Sequence, residues 1–187
     1  MRKTTITALL LLTIPVAGFL LARADAEDRN AKPASEFSSL AIDLGISVSN
    51  ADTSVKFYTE VLGGTEVPGF EVPGDYCKDA GLTDGTSVKV RMIVLGEGAT
   101  STKLKLIEFP KDTPKKNDNR TVPSELGYRY LTIGVNDMNP ILKRIEKAGV
   151  KAVGKTPMAL PKGFPDAYLL IVRDPDGNLV EFVGPKK

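Results

Sequence analysis

The run from Leu40 to Val48 predicts a strand, because polar and apolar positions alternate over residues 43–48. The apolar positions, at the spacing of a strand with one buried face, are Leu44, Ile46 and Val48. Residues 49–52 then favour a turn and a helix start, with Asn50 or Asp52 as the N-cap. Apolar residues next recur at helical spacing, and this helix is predicted to end at Gly63 and Gly64.

Three further strands are predicted in this first half of the chain, over residues 65–67, 88–95 and 103–109. A long loop rich in glycine and proline separates the first two of them, from Pro68 to Thr86. Long loops beside a cleft commonly bind or cover a ligand. We therefore expect this loop to be the main determinant of ligand specificity.

The same order of elements is repeated in the second half of the chain. A strand is predicted over residues 128–135, and a helix follows that ends at Gly149. Three more strands are predicted over residues 151–155, 167–172 and 179–183, with a hairpin turn at 174–178. The polar, proline-bearing residues 111–125 have the composition of a linker between the halves.

This repeat predicts an α+β fold in which two βαβββ modules, residues 38–110 and 126–187, form one domain over residues 38–187. One helix on one four-stranded sheet makes a thin core, so each module needs a partner. Paired modules would place two curled mixed sheets around a central cleft. The sequence leaves open whether the modules pair within one chain or by exchange in a homodimer.

The first 26 residues have the pattern of a secretory signal peptide. Arg2 and Lys3 precede an almost wholly apolar run from Ile6 to Leu21, and small residues follow at the spacing of a cleavage site. The run is shorter than the roughly 20 residues that span a bilayer comfortably, which favours cleavage over retention as an N-terminal membrane anchor. We expect an exported protein, periplasmic or secreted, with residues 27–37 as a flexible leader and no membrane association after cleavage.

Composition limits the chemistry that the protein can perform. The 187 residues include no histidine and one cysteine, Cys77. Histidine is the commonest metal ligand and the usual base near neutral pH, so its absence excludes histidine-based triads and metal sites built on histidine. One cysteine excludes an intrachain disulfide, and a nucleophilic Cys77 would have no imidazole base. What remains is the chemistry of carboxylates, lysine, tyrosine and hydroxyl groups.

The charge of the chain argues against a nucleic-acid partner. The formal net charge is +2, and removal of residues 1–26 leaves equal numbers of basic and acidic residues. The sequence also has no stripe of lysine and arginine residues of the kind that binds phosphate backbones. We expect a small-molecule ligand instead.

Two motifs in these patterns resemble the vicinal oxygen chelate superfamily, which includes glyoxalase I, extradiol dioxygenases, methylmalonyl-CoA epimerase and bleomycin-resistance binding proteins. The first-half motif is Val48-x-x-x-Asp52-x-Ser54-x-x-Phe57-Tyr58-x-x-x-Leu62-Gly63. The second-half motifs are Val135-x-Asp137, Lys147-Ala148-Gly149-Val150 and Arg173-Asp174-Pro175-Asp176-Gly177-Asn178-x-x-Glu181-Phe182. The resemblance covers nearly all of residues 38–187 and implies the glyoxalase-like fold of two βαβββ modules.

In metal-dependent members of this superfamily, four ligands project into the cleft from the first and last strand of each module, and they are usually His, Glu or Gln. The resemblance places these positions on Asp43, Lys105, Tyr130 and Glu181. Glu181 alone matches the usual residue types. Glu108 would replace Lys105 only after a register slip that turns the apolar residues of its strand into the cleft, so we reject it.

Lysine at a ligand position changes what the cleft is expected to hold, because a protonated ammonium donates hydrogen bonds and does not ligate a cation. We expect Lys105 to replace the charge of the metal in a pair or triad with Asp43 and Glu181, with no metal or other cofactor. Tyr130 would donate to a carboxylate or to a ligand, and Arg91 would either anchor an anionic ligand in the cleft or face water. Each residue also has a purely structural interpretation, as an inherited motif, a strand-edge or solvent-facing polar group, or a packing aromatic.

The residues leave open whether the protein is an enzyme. One hypothesis is a binding module that holds a small molecule in the cleft, as the antibiotic-binding relatives do. Another is a metal-independent lyase or isomerase acting next to a carbonyl, with Glu181 or Asp43 as the general base and Lys105 as an electrostatic stabiliser. A glyoxalase-like metal enzyme with atypical oxygen ligands is the third, and it fits Asp43 and Glu181 but not Lys105.

Overall fold

The computed structural model describes residues 41–98, 100–109 and 114–187. The predicted signal peptide and leader lie outside these residues. Within them, each helix is too short or too polar to span a lipid bilayer.

The first sheet has four strands, β1 (Asp43–Val48), β2 (Thr65–Val72), β3 (Val88–Leu95) and β4 (Thr102–Glu108), in the order β1-β4-β3-β2. β1 runs parallel to β4, and the other two pairs are antiparallel. Helix α1 (Ala51–Lys56) follows β1 and continues as a π-helical segment, Phe57–Val61. Asn50 is its N-cap, because its side chain accepts a 2.8 Å hydrogen bond from the Thr53 amide.

The second sheet repeats this topology. Its strands are β5 (Tyr130–Gly134), β6 (Met158–Ala159), β7 (Tyr168–Arg173) and β8 (Leu179–Gly184), in the order β5-β8-β7-β6 with β5 parallel to β8. Helix α3 (Asn139–Lys147) follows β5 as α1 follows β1. The predicted α+β fold of two repeated mixed sheets is confirmed, and the two sheets do not close into a continuous barrel.

Two segments differ from the predicted elements. Residues 151–155 do not form a strand: Ala152 makes one isolated bridge to Val172, and the edge strand lies at β6 instead. β2 extends through Pro68 to Val72, because a bulge between Val67 and Phe70 lets the strand continue past the proline. A side chain at Gly69 would lie 2.0 Å from the Val90 carbonyl oxygen, so the bulge requires glycine there.

A third difference is a helix inside the predicted long loop. Helix α2 (Gly74–Asp79) follows β2, and its Cys77 side chain is fully buried. The prediction of an irregular segment from Pro68 to Thr86 was therefore wrong in its first half, which contains the end of β2 and this helix.

One apolar core lies between the helices and both sheets. The first module contributes the inward side chains of α1, of the π-helical segment and of β1, β3 and β4. The second contributes those of α3, β7 and β8, and its largest members are Leu170, Phe182 and Met138. Because the cluster is continuous across the modules, each module covers apolar surface of the other.

Polar contacts also join the modules, two of them at the turn of residues 174–178. The buried Tyr58 hydroxyl donates a 3.0 Å hydrogen bond to Asp174 Oδ2, and the Ser49 amide donates to Asp176 Oδ2 at 3.0 Å. Arg144 of α3 donates to the carbonyls of Val61 and Leu62, which lie at the end of the first module's helix. These bonds fix how the two sheets sit against the shared core.

Candidate functional site

Each sheet has one face packed on the helical core and one face turned away from α1 and α3, which we call the cleft face. On β1 and β4 the core face contains Leu44 and Leu104, which are ladder partners. Residues one position along a strand point to the opposite side, so Asp43 and Lys105 lie on the cleft face. By the same alternation, Tyr130 of β5 lies on the cleft face of the second sheet.

Asp43 and Lys105 form an ion pair on the cleft face, with 2.9 Å between Lys105 Nζ and Asp43 Oδ2. Their side chains are 36% and 32% exposed, so the pair lies at a partly solvated surface. The hydrogen bond from Lys105 lowers the pKa of Asp43, and the charges of Lys105 and Lys103 act in the same direction. The Asp43 carboxylate is therefore ionised at neutral pH and tied to one of the two lysines beside it.

Glu181 lies on the cleft face of β8 and has a different partner. Its Oε1 accepts a 3.0 Å hydrogen bond from the hydroxyl of Thr132, its ladder partner on β5. Among the described residues, Lys105 is paired with Asp43 and forms no ion pair with Glu181. Of the two expected arrangements, a pair or a triad, the structure thus contains the pair Asp43–Lys105, without Glu181.

Tyr130 is the first residue of β5 and is 54% exposed. It lines a cavity of about 150 Å³ in the gap between the two sheets, together with Gly45 of β1 and Leu179 of β8. Gly45 is the ladder partner of Lys105, and Leu179 is that of Tyr130. The cavity thus has Gly45 of the first module and Tyr130 and Leu179 of the second on its wall, and its lining does not include Asp43, Lys105 or Glu181.

Arg91 does not lie on the cleft face. It pairs with Leu106 in the ladder, so it points to the side of the sheet where α1 packs. Its Nε donates to Glu66 Oε1 at 2.7 Å, and its Nη1 forms an ion pair with Asp52 of α1. These carboxylates raise the pKa of Arg91, with the Glu66 hydrogen bond as the largest cause.

The cavity beside Arg91 is larger than the gap between the sheets, at about 730 Å³, and it is lined by charged residues of the core-face side, including Lys89, Glu71 and Glu108. Glu108 Oε2 accepts a 2.9 Å hydrogen bond from the Ala51 amide at the start of α1. Glu108 therefore points away from the cleft, as the register argument against it required.

Helix α2 covers one end of the cleft face of the first sheet. Its Cys77 packs against Val88 and Val90, with Val72 and Ile107 at the edge of this cluster. The second sheet has no counterpart of α2 among the described residues, so the cleft is asymmetric. The loop was expected to act at the cleft, but the six-residue helix inside it was not predicted, because so short a helix gives too little apolar periodicity to be recognised in the sequence.

Sequence reasoning also missed Lys103 and Thr132 as cleft-face residues. Lys103 is the ladder partner of Asp43, and Thr132 is that of Glu181. Residues two positions apart on a strand point to the same face. The alternation that places Lys105 and Tyr130 on the cleft face therefore also predicts Lys103 and Thr132 there.

The donor set at the four ligand positions does not fit a divalent metal ion. Lys105 presents an ammonium, which is already hydrogen-bonded to the carboxylate of Asp43. Tyr130 offers an exposed phenol, so Glu181, which accepts a hydrogen bond from Thr132, is the one carboxylate of the four positions that is not paired with Lys105. Over the described ranges, no three side chains of His, Cys, Asp or Glu are clustered so that they would hold an ion.

Two mixed sheets of this order, with α1 and α3 on one face and these positions on the other, define a glyoxalase-like fold. The sequence matches the family model of the Glyoxalase/Bleomycin resistance protein/Dioxygenase superfamily over residues 41–182. The chain belongs to this superfamily, as the motif resemblance implied. A search of curated proteins gives no significant match.

Solved structures share the fold along nearly their whole length. The glyoxalase family protein from Bacillus cereus is 23% identical, with a TM-score of 0.62 over 82% of this chain and 99% of that chain. A glyoxylase/bleomycin resistance protein/dioxygenase domain from Frankia sp. is 18% identical, with a TM-score of 0.55 over 82% and 94%. The glyoxalase family protein from Enterococcus faecalis is 17% identical, with a TM-score of 0.51 over 76% and 94%. At these identities the likeness shows the fold and not the activity.

Proposed function

We propose that this protein is an exported member of the superfamily that binds a small molecule in its cleft without a divalent metal. The observation that supports this most strongly is the ion pair between Lys105 and Asp43, at two of the positions where metal-dependent members place ligands. A metal ion there would have to separate the pair and would then face the Lys105 ammonium as a like charge. The pair instead presents a preformed polar surface to a ligand.

The cleft face has the composition of a small-molecule site. Half-buried apolar side chains, such as Met92 and Ile171, lie beside Lys105 and Glu181 in the ladders of the two sheets. Ligand sites generally combine an apolar lining with a few polar groups that fix orientation. Export is supported by the charged start, apolar run and small-residue cleavage pattern of residues 1–26.

Mass spectrometry of the protein purified from its native host tests the proposal, because a retained ligand is then identified directly. Replacement of cleft-face groups by Lys105→Met or Glu181→Gln should weaken retention of that ligand. Lys89→Met is a matched control, since Lys89 is exposed on the other face of the first sheet. The proposal fails if the cleft variants retain the ligand as the control does, or if a stoichiometric divalent metal accompanies the wild-type protein.

A second candidate is a metal-independent lyase or isomerase acting next to a carbonyl. The observation that favours it is the Glu181 carboxylate, whose position is held by the Thr132 hydroxyl while a second oxygen stays available as a base. Lys105 would stabilise developing negative charge on the substrate. If the identified ligand is turned over, Glu181→Gln should abolish turnover and leave binding intact, whereas a pure binding module shows no turnover in the wild-type protein.

A further inference from the structure

The charges of the cleft face are divided between the two sheets. The first sheet carries Lys103 and Lys105 against one carboxylate, Asp43, so its cleft face has an excess of positive charge. On the second sheet, Glu181 stands in the middle of β8. The Arg173 guanidinium of that sheet donates to the carbonyls of residues 119 and 120 in the linker and of residue 177 in the hairpin turn.

Both sides of the gap keep hydrogen-bonding capacity for a ligand. The Lys105 ammonium has three N–H donors, and its ion pair with Asp43 uses one of its directions. Lys103 forms no ion pair with another described residue. Glu181 has two oxygens, of which Oε1 accepts from Thr132. An anionic group is thus favoured at the lysines, and a hydrogen-bond donor or a cation is favoured at Glu181.

These two polar places lie on opposite sides of the gap, so a ligand that contacts both has to lie across it. Lys105 is on β4, which pairs with β1, and Glu181 is on β8, which pairs with β5. Each residue is therefore one strand away from the gap. Neighbouring strands are about 4.8 Å apart. The strands β1 and β5 face each other across the cavity that Gly45 and Tyr130 line.

The apolar part of the ligand has more room on the second sheet. On the first sheet, Cys77 of α2 fills the end of the cleft face against Val88 and Val90. On the second sheet, Leu169, Ile171 and Val183 are on the cleft face and only partly buried. An apolar or aromatic ring lying on these side chains would also contact Glu181, the ladder partner of Ile171.

We infer that the ligand is a dipolar molecule: a carboxylate or similar anion binds Lys105 and Lys103, a ring or chain lies over the second sheet, and an amine or hydroxyl donates to Glu181. This inference rests on the proposed function and adds the chemical class of the ligand. Opposite charges at the two ends of the site also fix the orientation of such a ligand.

Three probes of matched shape test the inference: 4-(aminomethyl)benzoate, which is dipolar, 4-methylbenzoate, which is anionic, and 4-methylbenzylamine, which is cationic. Chemical-shift titrations of the amide signals of the full mature protein give both the affinity and the location of each probe. We expect the dipolar probe to bind at least about 10-fold more tightly than either other probe, the ratio that about 1.4 kcal/mol of added contact provides.

Variants separate the two ends of the site. Lys105→Met should remove the advantage of the dipolar probe over 4-methylbenzylamine, and Glu181→Gln should remove its advantage over 4-methylbenzoate. Lys89→Met should change neither ratio. The inference is overturned if 4-methylbenzoate binds as tightly as the dipolar probe, or if none of the probes shifts cleft-face amides. If a host ligand shifts those amides while the probes do not, the dipolar class is wrong and the proposed binding function stands.

Discussion

Replacing Tyr58 by phenylalanine removes one hydroxyl from the contact between the two modules. Tyr58 is 1% exposed, and its hydroxyl lies 3.0 Å from Oδ2 of Asp174, which is 5% exposed. The ring itself stays, including its edge-to-face contact with Phe57 at 5.2 Å between centroids. The variant therefore isolates the hydrogen bond from the packing.

A hydrogen bond to a charged group contributes about 1.5–3 kcal/mol to stability. Asp174 keeps three donors in the variant, namely the amides of Asp176 and Asn178 and the side-chain nitrogen of Asn178. Its carboxylate is therefore still solvated by the protein, and we expect a loss of about 1.5–2 kcal/mol in the free energy of unfolding.

Urea unfolding at pH 7, followed by circular dichroism, measures this loss. Tyr128→Phe is the matched control, because Tyr128 is 98% exposed, and it should change stability by less than about 0.5 kcal/mol. If Tyr58→Phe is as stable as Tyr128→Phe, the hydrogen bond does not hold the modules together and the reasoning is refuted.

Three further predictions concern buried groups. Burial and the neighbouring Asp174 raise the pKa of Tyr58 well above its ordinary value. Above about pH 10 the unfolded chain loses this proton and the native state keeps it, so the free energy of unfolding should fall by about 1.4 kcal/mol per pH unit. Unfolding curves at alkaline pH should lack this contribution in Tyr58→Phe. The Cys77 thiol is fully buried and should react with a thiol reagent only at the rate of local or global unfolding, so fast labelling of the native protein would contradict the placement of α2. Gly184→Ala should lower the free energy of unfolding in urea by about 1–3 kcal/mol, because its Cβ would lie 2.1 Å from a backbone carbonyl oxygen. Gly134→Ala is the control and should lower it much less, because open space surrounds that position. Equal effects of the two substitutions would contradict the close approach at Gly184.

The sequence predicts the fold well where one face of an element is clearly apolar. β3 has the predicted bounds, the N-cap of α1 is Asn50, one of the two predicted candidates, and α3 ends before Gly149 as expected. The prediction fails where a local irregularity, such as a bulge, interrupts the pattern of polar and apolar positions. The bulge at Gly69 lets β2 pass a proline, and residues 151–155 look like a strand but lie at a sheet edge with a single bridge.

The candidate site shows the same limit. Asp43 and Lys105 were expected to pair because their strands alternate cleanly between polar and apolar residues, and the structure brings them together. Arg91 was expected either to anchor a ligand in the cleft or to face water, and the structure instead places it on the core-face side, in ion pairs with Glu66 and Asp52. Alternation along β3 puts Lys89 and Arg91 on one face but does not say which face of the sheet meets the cleft. The partner of Glu181 was missed because it depends on the register of β5 against β8, which one sequence does not specify.

The metal content of the purified protein tests the central claim most directly. After loading with Zn²⁺, Ni²⁺ or Mn²⁺ and removal of free ions, the wild-type protein should retain less than about 0.1 ion per chain, because Lys105 and Asp43 neutralise each other at two ligand positions. A combined Asp43→His, Lys105→Glu and Tyr130→His variant supplies the usual ligand types beside Glu181 and serves as the positive control, with about one ion per chain expected. Retention of one ion per wild-type chain, abolished by Glu181→Ala, would contradict a cleft that binds its ligand without metal.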